Sequence, residues 1–222
     1  QKPTTINYGG QVDVWGEKDL KYDIQAVVVS TSSGQVIASS PVMDASAAGG
    51  STEVFELTKN SKGQILISTE VNPLNGKPHT LLTLNVTNLR SGYAAGLVVT
   101  PRSAGTLHAW ADDVYVRFTD AGVEGWQDGD SDCSIAEIGG TGDGIISGGA
   151  YTTRNAYTPA GSTREETTGE VMGAAATFSG RGPRPDGRVK PDIAAPGTMI
   201  ASAVSSHDAT LTSLPMAGAV ER

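Results

Sequence analysis

The sequence predicts a mainly β protein: an antiparallel, jelly-roll-like β-sandwich over residues 1–130, followed by a smaller segment of α/β texture over 131–222. Three observations carry this expectation. Glycine is frequent, at 28 of 222 residues, while charged residues make up only 18% and aromatics 5%. That composition suits short strands and turns better than long helices. Apolar residues recur at period two in short runs, the spacing of a half-buried strand. Turn formers separate those runs at short, even intervals, as in a sandwich.

The first clear run, 22–30 (YDIQAVVVS), alternates and then becomes continuously apolar. A turn at 31–34 (TSSG) leads into 35–40 (QVIASS). Residues 51–59 (STEVFELTK) interleave Val54, Phe55 and Leu57 with polar residues, and 60–63 (NSKG) turn the chain into 64–71 (QILISTEV). The loop 72–78 (NPLNGKP) is dense in turn formers. In 79–89 (HTLLTLNVTNL), Leu82, Leu84 and Val86 share one face of a strand. Runs at 93–101, 106–111 and 114–119 complete the predicted strands of the sandwich. The immunoglobulin Cys–Trp–Cys pattern is missing, which favours a jelly roll.

The texture changes at 121–134 (AGVEGWQDGDSDCS), which reads as a loop. A short apolar strand is predicted within 144–154 (GIISGGAYTTR), and a polar loop covers 155–170. A second strand, within 192–206, is broken by Pro196 and Gly197. The tail 212–222 is predicted to begin a helix, with Ser213 as N-cap and Pro215 in its first turn.

Charge and composition exclude several functions. The net charge is −8 with no Lys- or Arg-rich run, so a phosphate-binding surface and a nucleic-acid partner are not expected. No stretch is long and apolar enough for a membrane helix. No signal peptide is visible at Gln1. The lone Cys133 rules out an internal disulfide. Asp128, Asp130 and Asp132 alternate as in the start of a calcium loop, but no Glu closes an EF-hand pattern. A solvated acidic loop is the plainer reading, and calcium binding stays open. His79, His108 and His207 lack metal-ligand spacing, so no metal or cofactor is expected. His108 reads as a strand histidine packed beside Trp110, and His207 lies in a loop next to Asp208. The Asn85–Thr87 sequon falls inside a predicted strand and is not taken as a glycosylation site.

One segment, 178–197 (FSGRGPRPDGRVKPDIAAPG), is unusually restrained. Its 184–187 turn (RPDG) has a mechanism: Pro185 fixes φ, Asp186 bonds its own backbone, and Gly187 tolerates positive φ. Pro183, Pro191 and Pro196 hold the residues before them out of helix. The chain is pre-organised along one path against another element.

The stretch 176–200 (ATFSGRGPRPDGRVKPDIAAPGTMI) resembles the segment that precedes the catalytic serine in subtilisin-like serine peptidases. The stretch 142–154 (GDGIISGGAYTTR), with Gly148-Gly149-Ala150, resembles the strand those enzymes place upstream. Residues 104–113 and the acidic loop after them resemble the exit from a jelly-roll domain that some clostridial germination-type subtilases insert before the serine. The resemblance implies a Ser nucleophile, a His base and an orienting Asp. No Asp-Thr-Gly-like, His-Gly-Thr or oxyanion Gly-Asn motif occurs in this sequence. Ser213, in 209–222 (ATLTSLPMAGAVER), stands near the family position of the nucleophile, but Leu211 replaces the expected glycine. A lone serine hydroxyl without an adjacent base is a poor nucleophile. The expectation is therefore a portion of a subtilisin-like endopeptidase that does not cleave peptides alone. Its implied partners are an N-terminal subtilase fragment or a peptide or protein substrate, and its implied location is extracytoplasmic or secreted, with the cytoplasm as the alternative. A different class also fits: a non-catalytic module binding glycan or protein through the jelly roll, with Trp15, Trp110 and Trp126 as available aromatics.

Overall fold

The computed structural model describes residues 5–59, 62–112, 116–135, 140, 142–158 and 163–200. The chain divides into two compact units, Gln1–Asp130 and Ser131–Arg222. The described residues form strands and turns, with no helix among them.

In the first unit, the described residues form nine strands in two sheets. They are β1 (Thr5–Gly16), β2 (Tyr22–Ser30), β3 (Val36–Ser39), β4 (Met43–Asp44), β5 (Ser51–Glu56), β6 (Lys62–Val71), β7 (Pro78–Arg90), β8 (Tyr93–Pro101) and β9 (Leu107–Asp112). One sheet has the order β5-β6-β7-β1-β9, and every neighbour is antiparallel. In the other, β8 pairs along the whole of β2, and β3 and β4 divide the opposite edge of β2 between them.

The period-two pattern explains how the sheets close. Val12 and Val14 of β1, Ile65 and Ile67 of β6, and Leu82, Leu84 and Val86 of β7 point to one side. They meet Ile24, Ala26 and Val28 of β2 in a single apolar cluster, with Ala95, Leu97 and Val99 of β8 packed against it. The pairing is thus a sandwich, and each fully buried Val, Leu or Ile contributes about 1.5–3 kcal/mol. The continuous apolar run of β2 has a second cause: Val27 and Val29 are buried on its other face. There the chain returns over the sheet, and Trp126 lies on Gly96. A Cβ at Gly96 would stand 2.4 Å from the indole, so only glycine leaves room for it.

Two expectations change. β1, absent from the predicted strands, is an interior strand of the larger sheet, between β7 and the edge strand β9. The strand expected at 114–119 is not found at 116–119, which is irregular, while 113–115 lie outside the described residues. Val116 and Phe118 nevertheless pack against the core. Their alternation reports burial of side chains without pairing of the backbone.

The second unit contains β10 (Gly148–Tyr151), β11 (Ala156–Tyr157), β12 (Glu166–Thr167) and β13 (Ile193–Pro196). β10 and β13 pair in parallel, and β11 and β12 form a short antiparallel pair. The helix expected from residue 212 lies outside the described residues.

Candidate functional site

The restrained segment 178–197 is built around the β10–β13 pair. The register sets Gly148 opposite Ile193, Ala150 opposite Ala195 and Tyr151 opposite Pro196. On its other side β10 is bridged to Ala175 through Tyr151. The Ala176 N–H donates to the Ala150 carbonyl at 3.0 Å, and the Gly197 N–H to the Tyr151 carbonyl at 3.0 Å. The glycines of both motifs answer to close contact. A Cβ on Gly149 would come within 2.7 Å of the Pro191 ring, and one on Gly197 within 2.3 Å of the Ala150 Cβ. Gly182 lies against the Lys190 carbonyl, where a Cβ would approach to 2.0 Å. The loop therefore folds back on itself before it enters β13.

The turn at 184–187 forms as its residues require. The Gly187 N–H donates to the Arg184 carbonyl at 2.8 Å, and Gly187 has φ +85°. Arg184 and Arg188 both pair with Asp143 and with Asp186. The Arg184 guanidinium, joined by Arg188, holds the Asp143 carboxyl below the usual carboxylate range.

A second polar clamp sits at the start of the strands, and sequence reading did not find it. Lys190 is buried. Its Nζ donates to the Ile145 carbonyl and to Asp192 Oδ2, each at 2.7 Å. The same carboxylate oxygen accepts from the Ser147 N–H at 2.7 Å and from its hydroxyl at 3.0 Å. The Lys190 ammonium first, and the Ser147 N–H after it, hold the Asp192 carboxyl down at about 2. This three-residue clamp fixes the register in which β13 joins β10. The available signal was a lysine flanked by a valine and a proline, which reads as loop chemistry. Farther along, the Ser179 hydroxyl accepts from the Ala150 N–H at 2.9 Å, and the buried Thr198 hydroxyl donates to the Arg154 carbonyl at 2.9 Å. The chain is held from Asp192 through Thr198.

Of the sequence-predicted site residues, Ser213 and His207 lie outside the described residues. His79 Nε2 is 2.5 Å from Asp13 Oδ1, and its Nδ1 is 3.3 Å from Glu70 Oε1. The His79 ring stacks on Trp15 at 4.0 Å. His108 stacks on Trp110 at 5.6 Å. Asp128 Oδ1 accepts from the Asp120 N–H at 2.7 Å, as a loop cap. Among the described residues, no group of three His, Cys, Asp or Glu is arranged to hold a metal ion. Cys133 is a half-buried free thiol.

A parallel pair held by small residues, with the proline- and glycine-rich loop leading into it, is the local geometry that the motifs at 142–154 and 176–200 implied. The model of the subtilase family matches residues 23–221. The chain belongs to the subtilase family. Among solved structures it is similar to that of the Clostridium perfringens CspB protease, with a TM-score of 0.54 and 19% identity over 90% of this chain. At that identity the likeness is one of fold. The chain spans 36% of the length of that protease. No curated protein matches it.

Proposed function

We propose that this chain is a portion of a subtilisin-like serine endopeptidase that supplies the approach to the nucleophile and is not competent alone. The observation that carries the reading is the β10–β13 pair, with Gly197 seated on Ala150 and the chain clamped through Thr198. That arrangement fixes the path of the chain through Thr198, on the sequence approach to Ser213. Ser213 is the candidate nucleophile. The two described histidines are engaged elsewhere: His79 lies between carboxylates, and His108 against an indole. An active assembly takes its general base, its orienting carboxylate and its oxyanion donor from another polypeptide segment. Its substrate is then a peptide or protein. The test is reaction with a fluorophosphonate probe. The expected result is no labelling of the isolated chain above a Ser213→Ala control. Strong, Ser213-dependent labelling would overturn the reading.

A second reading, a binding module built on the sandwich, is favoured by one observation. Val14 points inward, so Trp15 points outward, and Trp110, two residues from His108 on the neighbouring strand, shares that outer face. Trp126, by contrast, is spent on Gly96.

A further inference from the structure

We infer that the open edge of β9 is a docking site for an extended basic peptide, which enters as an additional antiparallel or parallel strand. The inference deepens the binding-module reading and rests on it, and it is independent of catalysis.

β9 is the terminal strand of the five-stranded sheet. Its free groups follow from the ladder. The Glu17 N–H donates to the Thr106 carbonyl at 3.0 Å, which makes that pair hydrogen-bonded. In an antiparallel ladder such pairs alternate, so His108 and Trp110 bond to Trp15 and Asp13. The N–H and C=O groups of Leu107, Ala109 and Ala111 therefore point away from β1, toward a side where β9 pairs with no described strand. Three successive donor–acceptor sets on one straight edge are a template for strand addition.

The edge also lacks the usual protection. β5, at the opposite end of the sheet, is blunted by Glu53, a charge on the same side as the buried Phe55. The corresponding positions of β9 are Leu107, Ala109 and Ala111. They contain no proline, no charge and no break in register. The two alanines leave space for the inward side chains of an added strand.

Charge selects the occupant. The outer row across the sheet runs Glu70, His79, Trp15, His108, and the next row contains Asp13 and Trp110. β1 and β9 contain no lysine or arginine, and β7 has only Arg90, at its far end. Indole rings beside carboxylates attract lysine and arginine side chains, and the net charge of −8 acts in the same direction. Main-chain bonds supply affinity, and the outward aromatics select the alternate residues that face them.

The test is fluorescence anisotropy of the full chain with a labelled nonapeptide alternating lysine and valine, at physiological ionic strength. The expected result is saturable binding, weakened roughly tenfold or more by Trp110→Ala and by methylation of every backbone nitrogen of the peptide. Ala109→Pro, which removes an edge donor, has the same expected effect where its tryptophan-fluorescence melt shows it folded. The methylated peptide keeps the decision on the unmodified protein if that variant does not fold. Equal binding of both peptides means adsorption by charge alone and overturns the proposal, as does no binding. Capture of a neutral oligosaccharide in place of the peptide overturns it and leaves the binding-module reading standing. A dimer that Trp110→Ala dissociates assigns the edge to a second copy and also overturns it.

Discussion

The two units are held together by opposite means. The first closes two sheets on an apolar cluster drawn from both, with Val14, Ala26, Ala45 and Ile67 fully enclosed. In the second, Ala176 is the sole buried apolar side chain among the described residues, while Ile146 and Val189 are 82% and 83% exposed. Order there comes from polar clamps and from glycines that permit close approach. A packed core tolerates polar change and resents loss of volume. A clamped loop tolerates loss of volume and resents the loss of one donor or the gain of one methyl group. The exposed faces of a parallel pair are also unusual, because parallel sheets are ordinarily covered on both sides.

Three experiments sharpen the contrast. The largest effect is expected from Ile67→Ala, which empties a fully buried site and costs about 2–5 kcal/mol. Urea unfolding followed by tryptophan fluorescence reads it cleanly, since Trp15, Trp110 and Trp126 all belong to the first unit. A change within about 0.5 kcal/mol would mean that the sandwich does not rest on this core.

Gly197→Ala comes next. The added methyl meets the Ala150 Cβ and costs roughly 1–3 kcal/mol in overpacking. Amide exchange at Gly197, whose N–H bonds to Tyr151, is expected to accelerate by roughly 10- to 100-fold. Unchanged exchange would show that the strand pair is not set by close packing.

The smallest effect is that of acid. The folded Asp192 carboxyl titrates at about 2, against an ordinary 3.8. Its contribution to the fold is therefore complete above the ordinary value and is lost as pH falls toward about 2. Amide NMR shifts of Ser147 and Asp192 are expected to move together across that window, and not above it. In Lys190→Met the midpoint should rise toward the ordinary carboxylate value. A midpoint unmoved by that substitution would remove the clamp.

Much of the sandwich was legible because burial on one face writes itself as alternation. Ile65, Ile67, Leu82, Leu84 and Val86 are plain in the sequence and buried in the structure. β1 was not read, because Gly9 and Gly10 interrupt the alternation between Tyr8 and Val12. The strand survives the gap because β7 pairs across it, with Gly9 opposite Asn85 and Gly10 opposite Leu84, and the sequence of β1 alone carries no sign of that partner. The approach segment was legible from its prolines and glycines, whose constraints are local. The Lys190–Asp192–Ser147 clamp was not, because it joins positions far apart in the chain that meet only after β10 and β13 pair. The Asp13–His79–Glu70 network has the same cause: Asp13 and His79 are 66 positions apart.

The place of β1 between β7 and β9 bears on how the chain comes to be folded at all. β1 is made well before its partners β7 and β9, the latter ending at Asp112. Contacts so distant along the chain carry a high loop-closure cost and slow folding, on the order of milliseconds to seconds in sandwiches of this kind. On a ribosome the meander of β5, β6 and β7 can assemble while β1 still trails unpaired behind it. Once β7 is made, β1 pairs with it, and β9, at the edge of the sheet, is added last along β1.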